Sequence, residues 1–271
     1  MKNPFIDTLI FFSKIAISCL LLQVFLEKYL DFNKFPPAYY PLLHWFSNFM
    51  IYYPFSFFML YLKNSNYFEN RKAKHQLLTK KWPKFEFKGI VYGEAIFFIV
   101  CNIYNTFFPI SLSKGNIFQK LGWFYLCIYA SDILFFVTHY TLHEKFFWIH
   151  KRHHKEVDTN GFSSEIKSLY ESMITTLMDL MVFVVLGRDM NQFVAWIVIG
   201  VLYNVEGHSS IKMFYITTDF HVNHHLYFEC NFGIGFYLDY LFGTSFEQKE
   251  KQFNKENGIM MHLKEKEKLM E

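Results

Sequence analysis

HYTLHEKFFWIHKRHH, residues 139–154, gathers five histidines into sixteen residues of a chain that is 52% hydrophobic. His139 and His143 are spaced i, i+4, and His150, His153 and His154 are spaced i, i+3, i+4. Both spacings set imidazoles on one face of a helix, with neighbouring Cβ atoms about 5–6 Å apart. At about 100° per residue all five fall within about 100° of arc, yet one straight helix would hold His139 and His154 about 22 Å apart. Metal–imidazole bonds are only about 2.0–2.1 Å long. Either the packets serve different sites or the chain folds back near residues 144–147, and we expect the fold-back.

The second pattern returns later as His221, His224 and His225 in FHVNHH, and His208 lies between, one turn after Asn204. Nine of the twelve histidines therefore sit in a few packets at ligand spacing. Charged together they would repel, and neutral but unpaired they would be costly at a membrane face. A metal resolves both problems, because it takes neutral imidazole and supplies the positive charge itself. Nine ligands are too many for one ion, so two are implied. All-nitrogen ligation suits iron, copper or zinc, and the clusters contain no cysteine for a thiolate or iron–sulfur site. Asn204 is a further candidate, acting through a water. His44, His75 and His262 stand alone and read as ordinary interfacial residues.

The surroundings are those of a membrane protein. Phe, Tyr and Trp make up 21% of the 271 residues, whereas Gly (12) and Pro (7) are scarce. Long apolar runs recur, which predicts an all-α integral membrane bundle of about four spans plus a helical hairpin. The expected spans are residues 5–26, 38–62, 89–112 and 121–142, with Pro54 an expected kink in the second. Residues 173–186 and 190–203 flank Gly187-Arg188-Asp189 and read as the hairpin. No small-residue cleavage site follows residues 5–26, so that run is expected to stay as a span. The four cysteines lack CxxC spacing and read as buried free thiols. A net charge of +3 is too small to suggest a nucleic-acid partner.

Charge sets an expected topology. Residues 63–88 hold eight Lys or Arg against two Glu. With the N-terminus inside, the expected cytoplasmic loops carry thirteen basic residues and the outer loops five, as the positive-inside rule requires. Every clustered histidine then lies at the cytoplasmic face. The expected organisation is membrane helices over 1–120, a histidine-rich catalytic region over 121–250 and a charged tail over 251–271.

HxxxH, HxxHH and a second HxxHH resemble the membrane di-iron oxygenases of the fatty acid hydroxylase and sterol desaturase superfamily. Asp132 sits seven residues before His139, as the family's acidic residue does. HHLYFECNFGIGFYLDYLFGT, residues 224–244, is similar to the family's closing signature, through Asn231, Phe232, Gly233, Asp239, Phe242, Gly243 and Thr244. The resemblance covers about residues 125–245. Two positions depart from it: Tyr140 stands where Arg often follows the first histidine, and Ser168 stands where a His often precedes Glu171 by three residues.

The resemblance implies two iron ions, held by His139, His143, His150, His153, His154, His208, His221, His224 and His225. It implies O2 as co-substrate and hydroxylation or desaturation of an unactivated C–H bond in a sterol or fatty-acyl lipid. Asp132, Glu206, Asp219 and Asp239 are candidates to orient imidazoles through the second ring nitrogen, and Asp239 reads equally as a turn or cap before Phe242-Gly243. No nucleotide-binding glycine motif occurs, so electrons are expected from an external donor such as cytochrome b5 or a ferredoxin. The implied setting is the endoplasmic reticulum if the source is eukaryotic, or the inner membrane if it is bacterial. A degenerate, non-catalytic relative or a metal-binding membrane protein is the alternative.

Overall fold

The apolar runs of the sequence become long helices. The computed structural model describes residues 3–65, 68–73, 87–107, 115–186, 189–214 and 218–255. Much of the expected basic loop, with His75, lies outside the described residues, as do Gly187, Arg188 and the tail from 256 with His262.

α1 is Pro4–Tyr29. Asn3 caps it, accepting from the backbone N–H of Phe5 and Ile6 at 3.0 and 3.2 Å, and Pro4 follows where its missing N–H removes no helical bond. α2 is Tyr40–Asn64 and runs on through Pro54. α3 is Phe87–Phe107. α4, Ile117–Lys145, begins at a reciprocal cap between Asn116 and Gln119. Short α5, Phe147–His150, follows it directly. α6 is Leu169–Leu186, and α7, Met190–His208, starts at a second reciprocal cap made by Asp189 and Gln192. Among the described residues the regular secondary structure is helical, apart from one isolated bridge between Lys72 and Ile211.

The main packing closes a ring in the order α1, α4, α6, α3, α2, α7 and back to α1. This arrangement revises the hairpin expected for residues 173–186 and 190–203. α6 takes its main packing from α3 and α4, and α7 from α1 and α2. The two helices thus face one another across the ring's interior. With their polar ends included they reach 18 and 19 residues.

One end of the ring carries a cap made of α5, the turn His153–Lys155, the turn Gly161–Glu165, α8 (Thr218–Tyr227), α9 (Tyr237–Leu241) and α10 (Phe246–Lys255). Local bonds fix which helix ends meet it. Thr8, near the start of α1, accepts from the Phe236 N–H at 2.9 Å. Lys63, near the end of α2, donates to Asp158 at 2.6 Å and to the Thr159 carbonyl at 2.7 Å. The opposite end is tied by Lys120 to Glu27 and by Asn191 to Asp31. The helices therefore alternate in direction, and the chain start, the end of α4 and the end of α7 share the capped end.

The outer faces are apolar. α1 exposes Phe5, Leu9, Ile17 and Leu21, α2 exposes Leu42, Phe46 and Phe57, and α4 exposes Leu126, Ile133 and Val137. Among the described helices, Pro4–Tyr29 and Ile117–Lys145 are long and apolar enough to cross a membrane, with mean hydropathies of 2.2 and 1.6. α3 contributes a shorter apolar stretch, Val91–Ile103.

Candidate metal centre

The fold-back expected near residues 144–147 occurs at Phe146. Its backbone leaves the helical region at φ −129° and ψ 37°, ending α4 and starting α5. His150 thereby returns to His139, with their Nε2 atoms 3.1 Å apart. The next turn brings in His153 and His154, the last residue of α7 supplies His208, and α8 supplies His221, His224 and His225.

All nine histidines gather, and they divide in two. His139, His143, His150, His154 and His224 form one group, and His153, His208, His221 and His225 the other. Within each group the candidate ligand atoms lie within 4.8 Å of one another. The division follows from helical spacing. In each HxxHH motif the i, i+4 pair points to one group, and the remaining histidine points to the other. Thus His150 and His154 join the first group and His153 the second, whereas His221 and His225 join the second and His224 the first.

Hydrogen bonds on the far side of the rings fix their protonation. His139 Nδ1 donates to the Phe232 carbonyl at 2.9 Å, His208 to the Asn204 carbonyl at 2.8 Å, and His224 to the Cys230 carbonyl at 2.7 Å. A carbonyl only accepts, so these Nδ1 atoms carry the proton and the neutral rings present bare Nε2 lone pairs. His154 Nε2 lies 3.0 Å from those of His143 and His150 and 3.1 Å from that of His224. One N–H cannot serve three such neighbours. Lone pairs converging in this way repel unless a cation sits among them, so the donor set fits bound metal. Burial and the neighbouring imidazoles also hold His153, His154, His221 and His224 well below the ordinary histidine range. That keeps them in the neutral form a metal requires.

The four candidate carboxylates have other partners. Asp132 Oδ1 accepts from the N–H groups of Ile234 and Gly235 at 2.8 and 2.9 Å. Asp239 accepts from those of Phe232 and Gly233, both at 2.7 Å, and from the Thr244 hydroxyl at 2.6 Å. Glu206 binds the N–H groups of Met213 and Phe214, and Asp219 pairs with Lys212. Direct contact with an imidazole was the expectation, but backbone N–H groups of the closing loop take Asp132 and Asp239 instead, because those loop donors have no helical acceptor. Asp239 still acts on the cluster through one bond, since the Phe232 peptide it holds offers its carbonyl to His139. Asn204 likewise meets His208 through its backbone carbonyl, while the residue lines the cavity described below.

Among the described residues, Glu171 is a carboxylate that touches an imidazole. Its Oε1 lies 2.7 Å from His150 Nδ1, and both side chains are buried. Sequence reading passed over Glu171 because the His expected three residues before it is absent. Ser168 occupies that position and instead caps α6, its hydroxyl accepting from the Glu171 N–H at 3.1 Å.

The closing signature now has a physical basis. Asn231 adopts φ 59°, Gly243 adopts φ 71°, and the Asn231 side chain bridges the Phe220 carbonyl and the Phe246 N–H, each at 2.8 Å. Gly235 passes so close to α1 that a Cβ there would meet the Phe12 ring at 2.8 Å. Only glycine permits that approach.

A cavity of about 240 Å³ opens onto both histidine groups. It occupies the interior of the ring, and α1, α2, α3, α4, α6 and α7 all contribute to its wall. His139 and His150 of the first group and His153, His208 and His221 of the second border it, and Phe11, Phe97, Phe135, Phe193 and Trp196 line its apolar part.

Comparison with known proteins agrees with the resemblance read from the sequence. Residues 124–244 match the family model for fatty acid hydroxylase. The chain is 27% identical over 117 residues to human fatty acid hydroxylase domain-containing protein 2, covering 42% of this chain and 35% of that protein. The macaque protein of the same name is 25% identical over 134 residues, covering 48% of this chain and 40% of its own length. The chain is also 26% identical over 200 residues to methylsterol monooxygenase 2-2 of Arabidopsis thaliana, covering 62% of this chain and 74% of that protein. The matches thus span well under half the length of the two fatty acid hydroxylase domain-containing proteins. No solved structure matches the chain. All nine histidines, Asp132, Glu171 and Asp239 lie inside the segment that matches the fatty acid hydroxylase model.

Proposed function

We propose that this fatty acid hydroxylase domain works within a membrane-bound, non-haem di-iron oxidoreductase. In this reading it uses O2 to hydroxylate or desaturate an unactivated C–H bond of a sterol or fatty-acyl lipid. The observation that carries the reading is the cavity: an aromatic chamber inside a six-helix ring, ending on both histidine groups. It is shaped to bring an apolar chain to a metal centre.

The nine histidines hold the ions, five in one group and four in the other. Bound iron supplies the activation of O2 that an unactivated C–H bond requires. The chain's own residues perform the remaining tasks. Carbonyls of Phe232, Asn204 and Cys230 and the carboxylate of Glu171 orient the imidazoles. The aromatic wall excludes water and aligns the lipid, which keeps the oxidising step on substrate.

The apolar outer faces of α1, α2 and α4 suit surrounding lipid, and the excess of basic residues in the loops of the capped end favours a cytoplasmic cap. Lys151, Arg152 and Lys155, set among the histidines in sequence, offer a docking surface for an acidic electron donor such as cytochrome b5 or a ferredoxin. The endoplasmic reticulum or a bacterial inner membrane would supply the lipid.

The test is turnover of iron-loaded protein in lipid nanodiscs under isotopically labelled O2, with a reducing system and a panel of methylsterols and fatty-acyl lipids. The reading predicts an O2-dependent oxidised lipid. No such product from any lipid in the panel, with iron present and reducible, would contradict it.

A further inference from the structure

The cavity has a polar wall that the metal centre does not use. Glu94 of α3 lines it together with Asn48 and Tyr53 of α2. Tyr53, Trp45 and Asn48 come within hydrogen-bonding reach of the Glu94 carboxyl. One carboxylate oxygen, Oε2, is nevertheless buried without a hydrogen-bond partner among the described residues. Glu171 of the same cavity also has one unpartnered oxygen, Oε2, but its Oε1 lies 2.7 Å from His150 and commits that carboxyl to the metal centre, and Glu165 accepts from Lys167 at 3.4 Å. Among the described residues no hydrogen bond ties Glu94 to the histidines, and all three residues of this wall lie outside the segment that matches the fatty acid hydroxylase family.

A buried acceptor lacking a donor is rare in a folded chain and unfavourable. In a ligand cavity it marks the place where the ligand brings the donor. The chemistry of that donor is restricted. A fatty-acid carboxylate would repel Glu94, and an ether or ester offers acceptors alone. An ammonium group would have to shed its hydration to enter an apolar chamber. A hydroxyl fits: it donates one hydrogen bond, carries no charge and enters at a modest desolvation penalty.

We infer that Glu94 Oε2 accepts a hydrogen bond from a hydroxyl on the lipid substrate, with Asn48, Trp45 and Tyr53 holding the carboxyl in place. This rests on the lipid-oxidising reading of the cavity and deepens it. Substrates of this protein carry a hydroxyl at one end, and that anchor decides which carbon lies against the histidines. Glu94 is a specificity-determining residue, remote from the reacting atoms.

Equilibrium binding to the full metal-loaded chain in detergent tests the inference without turnover. The probes are hexadecanol against its methyl ether, cholesterol against its methyl ether, and hexadecylamine, with metal content measured on the same samples. At least one alcohol should bind about tenfold more tightly than its ether, since a site built to bond a hydroxyl discriminates strongly against its loss. Which alcohol is preferred identifies a chain-like or ring-like skeleton. Glu94→Ala should bring the ratio to about one with metal content unchanged, whereas Glu94→Gln, which keeps an acceptor oxygen, should preserve most of it. Equal binding of alcohol and ether, an unaltered ratio in Glu94→Ala, tighter binding of the amine than of either alcohol, or no binding of either alcohol would overturn the inference. Failure of the oxidation reading looks different: the alcohol preference would persist while O2-dependent product stayed absent.

Discussion

His139 Nε2 lies 3.1 Å from His150 Nε2, although eleven residues separate them in the chain. A continuous helix would hold the two rings about 16 Å apart along its axis. The break at Phe146 makes the contact, and the same break lets two sequential packets feed one cage. Each HxxHH motif then divides its histidines between the two groups.

Neighbouring residues should therefore belong to different ions. His153→Ala removes a ligand from the group of four, and His154→Ala one from the group of five. Each variant should lose a different metal subsite, visible as different residual spectra in Mössbauer or electron paramagnetic resonance measurements of iron-loaded protein. Identical spectra from the two variants would contradict the division.

Glu171 orients His150 from the side away from the cluster. Glu171→Gln replaces the carboxyl with an amide while leaving the shape, and losing such a partner typically weakens metal affinity or activity about 10–100-fold. Metal titration of the purified variant, with helicity checked by circular dichroism, measures this. Unchanged affinity and unchanged activity together would remove Glu171 from the account.

Asp239→Ala leaves the buried N–H groups of Phe232 and Gly233 without their acceptor. Each such loss costs about 1–3 kcal/mol, so the melting temperature should fall measurably. Because the Phe232 carbonyl orients His139, iron affinity should fall with it. Glu206→Ala, whose carboxylate accepts from the Met213 and Phe214 N–H groups and from no loop that orients an imidazole, should lower stability more than it lowers iron affinity.

Low pH should release the metal and loosen the cap. His153, His154, His221 and His224 are held well below 6.5 when folded. The unfolded chain therefore binds more protons than the folded one as pH drops below about 6.5. Stability falls progressively from there, and proton competition for the same nitrogens expels metal over the same range. Thermal unfolding between pH 8 and pH 5, followed with and without added iron, should show a steep decline below about 6.5. A flat profile would contradict the buried, neutral imidazoles.

Much of this was legible in the sequence because its signals are periodic. Apolar runs located the six long helices, and the i, i+3, i+4 spacing located the nine histidines. Comparing helix rise with metal–ligand distance even located the fold-back. What escaped depends on three-dimensional closure. The packing of α6 and α7 on opposite sides of the ring cannot be read from two adjacent apolar runs. Asp132 reads from the sequence as serving an imidazole and Asp239 as either that or a cap, and the N–H groups of residues 232–235 claim both once the closing loop folds over α1. Glu171 stayed hidden because its partner His150 lies 21 positions away and its local pattern departs from the family's. Glu94 carried no motif, and only the cavity gives it meaning.

The most direct test of the central claim is the metal content of the detergent-purified chain prepared under iron-replete conditions, beside His221→Ala. Two groups of five and four histidines predict close to two irons per chain, with a clear loss in the variant. Sub-stoichiometric metal in the wild-type protein, or the same content in His221→Ala, would contradict a two-metal centre.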